Sequence, residues 1–193
     1  MINKRDKVKI VTHTGCDISF DEAEKLSIEM IADLIILENV SYRNMVDVSP
    51  QDFYRKLRTL SQLPTSSHPS TGDYLNAYLK ASEESDNILC LMITSKMSGC
   101  YNTAVTAGKL FETRGLSSKV SVYDTGQCSH GMGIMVRHAA KLADEGCTVD
   151  EIISRLDEIK NKIGVYFILE SLKYAKKGGR VGAIKMLAAD FLV

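Results

Sequence analysis

Residues 87–101 read NILCLMITSKMSGCY, and this stretch decides the fold. Residues 88–93 form an apolar run of strand length, which is typical of a strand buried on both faces of a parallel sheet. The residues that follow are rich in hydroxyl groups and lead into a helical pattern that extends from about residue 99 to residue 112. The order strand, loop, helix is the beginning of a β-α-β unit.

The same alternation continues in both directions along the chain. Further strands are predicted at residues 8–12, 34–37, 119–123 and 165–169. Helices are predicted from N-cap signals at Ser19 (as far as about residue 30), Ser49, Ser70 and Thr148, and over about residues 132–145. This pattern predicts an α/β fold with a mainly parallel sheet and helices on both faces.

The character of the chain changes near its carboxyl end. Residues 176–182 read KKGGRVG, a basic and glycine-rich turn, and an apolar stretch follows it to Val193. We therefore expect residues 1–163 to form one α/β domain, and residues 164–193 to be the incomplete beginning of a second α/β domain.

Composition excludes several classes of protein. Lys+Arg and Asp+Glu number 24 each, so the net charge is zero, whereas general nucleic-acid binding needs an excess of positive charge. Five cysteines without a C-x-x-C pair argue against a disulfide framework and predict a cytoplasmic protein. No apolar run reaches membrane-spanning length, so we expect no stable membrane insertion. The four histidines lack metal-ligand spacing, so neither a metal nor another cofactor is predicted.

Two hydroxyl-rich segments are the candidate binding site. They are PTSSHPS at residues 64–70 and TSKMSGCY at residues 94–101, and each precedes a predicted helix. A helix start offers unpaired backbone N–H groups and the positive end of a dipole, and nearby hydroxyls add donors. If the two segments converge, they form a pocket for one small anion. A carboxylate fits better than a nucleotide, because both segments are short and neither has a phosphate-loop glycine pattern.

Six motifs in order give the sequence a family resemblance. They are THT at residues 12–14, YRNMVDVSPQDFY at 42–54, SSHPS at 66–70, SKMSGCY at 95–101, VYDT at 122–125 and GGRV at 178–181. Together they resemble the DegV family of bacterial fatty-acid-binding proteins. The resemblance implies a carrier of one long-chain fatty acid, whose carboxylate is bound by the two hydroxyl-rich segments. The ligand-binding residues it implies are Thr65, Ser66, Ser67, His68, Ser98 and Gly99.

The resemblance also implies a protein partner. Members of the family present the fatty acid to a fatty acid kinase, related to dihydroxyacetone kinases, which forms acyl-phosphate. Arg180 matches the arginine that the family uses in this hand-over. The sequence departs from the family pattern at four positions. His13 replaces an aspartate, Ser66 replaces a threonine, His68 replaces a glutamine and Cys100 replaces a threonine. Most of the family's second domain has no counterpart here, which suggests a truncated chain.

Two alternatives to the carrier stay open. The first is an acyl-transfer or hydrolytic enzyme with Ser98 or Cys100 as nucleophile and His13 or His68 as base. The sequence places no third, orienting group for such a pair, and it lacks the G-x-S-x-G elbow. The second is a truncated remnant that no longer binds lipid. The serines of both segments also suit plain helix capping. The sequence favours a carrier that is not an enzyme.

Overall fold

The structure, a computed structural model, describes residues 7–168, 173–179 and 181–182. The strands are β1 (Val8–His13), β2 (Glu29–Ile31), β3 (Leu34–Leu37), β4 (Val40–Arg43), β5 (Thr65–Ser67), β6 (Asn87–Met92) and β7 (Lys119–Asp124). The helices are α1 (Phe20–Lys25), α2 (Pro50–Leu57), α3 (Thr71–Glu84), α4 (Cys100–Glu112), α5 (Ser129–Asp144), α6 (Val149–Lys160) and α7 (Lys173–Lys177).

The main sheet contains four parallel strands in the order β2-β1-β6-β7. Strand β6 contributes to a hydrophobic core on each face, because successive side chains of a strand point to opposite sides. Leu89 and Leu91 pack with residues of α5 and α6, whereas Cys90 and Met92 pack with residues of α3 and α4. The predicted α/β fold, with a parallel sheet between two helical layers, is confirmed.

The four N-cap signals each begin a helix where predicted. Ser70 accepts a hydrogen bond from the backbone N–H of Asp73 (3.2 Å), and the Asp73 carboxylate accepts one from the backbone N–H of Ser70 (2.7 Å). Thr148 and Glu151 form the same capping box at the start of α6. Ser19 and Ser49 accept from the third residue of α1 and α2, respectively. Such caps satisfy N–H groups that otherwise lack a partner in the helix.

The first helix is shorter than predicted. Helix α1 ends at Lys25 rather than near residue 30, and Ser27 adopts a left-handed conformation with φ 55°. The chain then forms β2, which pairs with β1 in parallel, with Met30 opposite Thr12. The spacing of the apolar residues in this segment fits either a helix or a strand, and pairing with β1 selects the strand.

A second, antiparallel sheet was not predicted. It has the strand order β4-β3-β5 and lies outside the main sheet. Residues 34–37 do form a strand, β3, but it belongs to this small sheet, and Leu37 is its one buried residue. The hydroxyl-rich segment interpreted as a loop contains β5, which pairs with β3 so that Ser66 lies opposite Ile35.

The prediction of a strand at residues 165–169 is wrong for residues 165–168, the part of it that the structure describes. Residues 165–168 form no strand, and Tyr166 and Ile168 are 85% and 98% exposed. Their apolar character suits a strand, but no described strand pairs with them, and a strand needs such a partner. Residue 169 lies outside the described residues. Within residues 164–193, α7 is a five-residue helix without a buried side chain, and a second domain stays a prediction.

In the part of the chain that the structure describes, no helix combines the length and the hydropathy that crossing a bilayer requires.

Candidate functional site

The candidate site lies at the edge of the main sheet where its parallel strands end. His13 is the last residue of β1, Asp33 follows β2, and Ser98 follows β6. Ligands of α/β proteins bind beyond this edge of the sheet, because the carboxyl ends of the strands and the helix starts meet there. The structure therefore collects polar residues from three connections at one place.

The second hydroxyl-rich segment forms a tight turn into α4. The backbone N–H groups of Met97 and Ser98 donate to the carbonyl oxygen of Thr94, at 3.0 and 3.3 Å. The hydroxyl of Ser98 accepts from the backbone N–H of Cys100 (3.2 Å) and donates to its thiol (3.0 Å). Ser98 thus pairs the first backbone N–H of α4 and remains half-buried, while Gly99, the N-cap residue, is exposed.

The first hydroxyl-rich segment contributes an exposed strand. Thr65, Ser66, Ser67 and His68 are all exposed. Because side chains alternate along a strand, Thr65 and Ser67 share one face of β5 and Ser66 lies on the other. The hydroxyl of Ser66 therefore lies on one side of β5 and those of Thr65 and Ser67 on the other, and their contact with a carboxylate stays a prediction.

His68 joins the two segments. Its Nδ1 lies 2.9 Å from the carbonyl oxygen of Pro69, and because a carbonyl only accepts, Nδ1 must carry the hydrogen. The other nitrogen, Nε2, faces Gly99: a Cβ atom built on Gly99 would lie 3.4 Å from it. The two segments therefore approach each other, with the imidazole of His68 beside the start of α4.

A buried polar cluster of His13, Asp33 and Cys100 occupies the same edge of the sheet. His13 Nδ1 lies 2.9 Å from a carboxylate oxygen of Asp33, which also accepts from the hydroxyl of Thr14 (2.8 Å). The nitrogen, oxygen and sulfur atoms of His13, Asp33 and Cys100 lie within 4.8 Å of one another. His13 and Cys100 are each 2% exposed. No sequence motif indicated Asp33 as a site residue. The one feature that could have done so is that Asp33 is the single carboxylate in the apolar run of residues 30–37.

The thiols of the site region are protonated rather than reactive. Burial raises the pKa of the Cys100 thiol, and the hydrogen bond from Ser98 offsets part of this effect. Burial also raises the pKa of Cys16 to about 11. Asp33 supplies His13 with the orienting group that the enzyme hypothesis lacked, but a buried, protonated thiol is a poor nucleophile. The five cysteines, all in the described part of the chain, are free.

Tyr74 completes the surroundings of the cluster. Burial is the main reason that the pKa of its phenol is raised, and the carboxylate of Asp33 adds to it. The hydroxyl of Tyr74 and Nε2 of His13 are buried, and neither has a hydrogen-bond partner among the described residues.

Arg180, the residue predicted for hand-over, lies outside the described residues. The glycine turn before it is present, with Gly179 at φ 72°. The N–H of Gly178 donates to the carbonyl of Tyr174 (2.9 Å), and the N–H of Gly179 donates to the carbonyl of Lys176 (3.1 Å).

Together, the parallel sheet and the polar residues beyond its carboxyl edge define an α/β domain with a candidate ligand site at that edge. A family model described as "Uncharacterised protein, DegV family" matches residues 7–192. The chain belongs to the DegV family.

Relatives and solved structures agree with this assignment. A DegV domain-containing protein of Listeria monocytogenes is 30% identical over 188 residues, which is 97% of this chain and 65% of the relative. A DegV family protein from Thermus thermophilus, whose structure is named for fatty acid binding, is 29% identical with a TM-score of 0.79, covering 94% of this chain and 64% of that one. A Thermotoga maritima protein described as revealing fatty acid binding function is 32% identical with a TM-score of 0.75. The match covers 91% of this chain and 63% of that one. The chain thus spans about 65% of the length of the Listeria relative.

Proposed function

We propose that this chain binds a long-chain fatty acid by its carboxylate and acts as a carrier, not as an enzyme. The observation that carries the proposal is the approach of His68 to Gly99, where the two hydroxyl-rich segments come together at the start of α4. The fatty-acid binding named for the Thermus and Thermotoga proteins supports the class of ligand.

Each group at the contact has a role toward a carboxylate. The start of α4 supplies the positive end of a thirteen-residue helix. Gly99 has no side chain, so an oxygen atom can approach the backbone closely. The Ser98 hydroxyl can turn from the Cys100 thiol toward the ligand, and Nε2 of His68 is the ring nitrogen left to face it because Nδ1 is already bonded. Ser66, or Thr65 and Ser67 from the other face of β5, adds a further hydroxyl.

The hand-over to a partner is part of the same proposal. A fatty acid kinase of the dihydroxyacetone-kinase-like type would receive the bound acid and form acyl-phosphate in the cytoplasm. This step rests on the family resemblance and on the basic turn formed by Lys176, Lys177 and the glycines that precede Arg180. Arginine suits contact with a phosphate because its guanidinium donates two parallel hydrogen bonds.

The test is to compare oleate binding by the unchanged chain and by Ser98→Ala in isothermal titration calorimetry. Loss of a hydrogen bond to a charged group costs about 1.5–3 kcal/mol, so affinity should fall about ten- to a hundred-fold. Ser95→Ala is the matched control, since Ser95 lies in the same segment and is exposed. Ser98→Thr retains the hydroxyl and should restore binding. Equal affinity in Ser98→Ala and Ser95→Ala, or no oleate binding by the unchanged chain, contradicts the proposal.

The enzyme hypothesis keeps one supporting observation, the orientation of His13 by Asp33. It requires turnover of an acyl thioester and a covalent adduct on Cys100 or Ser98, which intact-mass measurement detects. The apolar stretch that follows residue 182, whose exposure would favour a non-binding remnant, lies outside the described residues.

A further inference from the structure

We propose that His13, Asp33 and Cys100 bind a divalent transition metal ion, with Zn²⁺ as the best match. The three side chains come from the end of β1, the connection after β2 and the first residue of α4. Their ligand-capable atoms lie within 4.8 Å of one another, close enough for one ion to contact all three.

A second observation shows that the cluster is incomplete as it stands. Nε2 of His13 and the hydroxyl of Tyr74 are buried without a hydrogen-bond partner among residues 7–168 and the other described residues. His13 is 2% exposed and Tyr74 is fully buried. Buried polar groups in folded proteins are nearly always paired, so two unpaired groups at one cluster indicate an additional ligand. Because Nδ1 of His13 faces the Asp33 carboxylate, an ion that contacts both residues binds Nδ1. A water bound to this ion would satisfy the Tyr74 hydroxyl.

The ligand types select the ion. Imidazole, thiolate and carboxylate together suit Zn²⁺, which prefers nitrogen, sulfur and oxygen ligands in a tetrahedron. Mg²⁺ and Ca²⁺ prefer all-oxygen sites and are a poor match for a thiolate. On binding, the ion takes the place of the Cys100 proton, which is released to solvent, and the thiolate binds the metal. The Ser98 hydroxyl, 3.0 Å from the sulfur, then donates to that thiolate.

Two residues of the cluster depart from the motif of the family that the sequence resembles. His13 stands where the family motif has aspartate, and Cys100 stands where it has threonine. Both changes introduce a softer ligand, and the fold brings the two changed positions together with Asp33 although eight strands and helices separate them along the chain.

Cobalt titration tests the proposal. The full chain is reduced, freed of metal with a chelator and titrated with Co²⁺, while absorption is recorded. We expect one equivalent of Co²⁺ to give a thiolate-to-cobalt charge-transfer band in the near ultraviolet and the visible bands of a tetrahedral ion, and Zn²⁺ to displace it. Cys100→Ser should abolish the charge-transfer band, and His13→Ala should weaken binding by at least about tenfold.

Matched controls separate this site from other thiols. Cys16→Ser and Cys147→Ser remove a buried and a half-buried thiol outside the cluster, and both should retain the band. Asp33→Asn provides a second ligand variant if Cys100→Ser does not fold, and it should also weaken Co²⁺ binding. The proposal is overturned if the unchanged chain binds no stoichiometric Co²⁺ or Zn²⁺, which would leave an ordered water as the partner of the two groups, or if the band persists in Cys100→Ser. None of these readouts uses a fatty acid, so they are independent of the proposed carrier function.

Discussion

The imidazole of His68 lies against the backbone of Gly99, so that a Cβ atom at position 99 would be 3.4 Å from Nε2. Gly99 has φ −71° and ψ −5°, a conformation that any residue adopts. Its lack of a side chain therefore matters for space rather than for the backbone. The contact makes position 99 a direct probe of the proposed carboxylate site.

Replacing Gly99 by valine should reduce oleate affinity by at least about tenfold, equivalent to about 1.4 kcal/mol, because the side chain would displace His68 and cover the start of α4. The melting temperature should change little, since residue 99 is exposed and unstrained. Gly72→Val, in the first turn of α3, is the control, because its Cβ would meet only the Ser70 hydroxyl at 3.6 Å. Equal oleate affinities for the two variants in calorimetry would place the carboxylate elsewhere.

Two tyrosines one helical turn apart should respond oppositely to loss of their hydroxyls. Tyr74 and Tyr78 are both fully buried, but Tyr78 donates to the carbonyl of Ala104 at 3.1 Å, whereas Tyr74 has no partner among the described residues. Tyr78→Phe should lower the free energy of unfolding by about 0.5–1.5 kcal/mol, and Tyr74→Phe should leave it unchanged or raise it. Urea denaturation in the presence of EDTA measures both. Equal destabilisation would mean that the Tyr74 hydroxyl has a partner.

Local sequence rules predicted much of the fold because the deciding interactions are local. The N-cap serines and threonine bond to residues three positions on, and the apolar run of β6 suits burial on both faces, so each signal lies within a short window. The end of α1 was different. Residues 28–31 fit either a helix or a strand, and their pairing with β1, in which Met30 lies opposite Thr12, decided the outcome.

The candidate site was only partly predictable for the same reason. Ser98 and His68 belong to segments that the sequence marks as a candidate site. Asp33 belongs to no motif, and it becomes part of the site only because the fold places it beside His13 and Cys100, which lie far from it in sequence. The small antiparallel sheet also depends on a distant pairing, between β3 and β5. A contact between residues distant in sequence produces no hydrophobic periodicity near either residue, so a local pattern cannot predict it.

The turn before α2 should contain a carboxyl group of unusual acidity. The guanidinium and the backbone N–H of Arg43 both donate to Asp47 and lower its pKa from 3.8 to about 2. A lowered folded-state pKa stabilises the fold above the unfolded value, and this contribution is lost as pH falls from about 4 toward 2. Carboxyl-carbon NMR titration measures it directly. Arg43→Gln should move the value back toward 3.8; a wild-type value already near 3.8 would exclude the interaction in solution.

Gly133 should be a position in a helix where alanine destabilises. Alanine normally stabilises a helix interior relative to glycine by about 0.5–1 kcal/mol. In α5, however, a Cβ at position 133 would lie 2.5 Å from the backbone carbonyl oxygen of Cys16, which cannot rotate away. We expect Gly133→Ala to lower the free energy of unfolding by about 1–3 kcal/mol. Gly108→Ala in α4 is the control, because its Cβ would meet Val120 at an ordinary 3.8 Å and should be neutral or stabilising. Urea denaturation in which both variants gain stability would show that α5 does not pack against Cys16 as described.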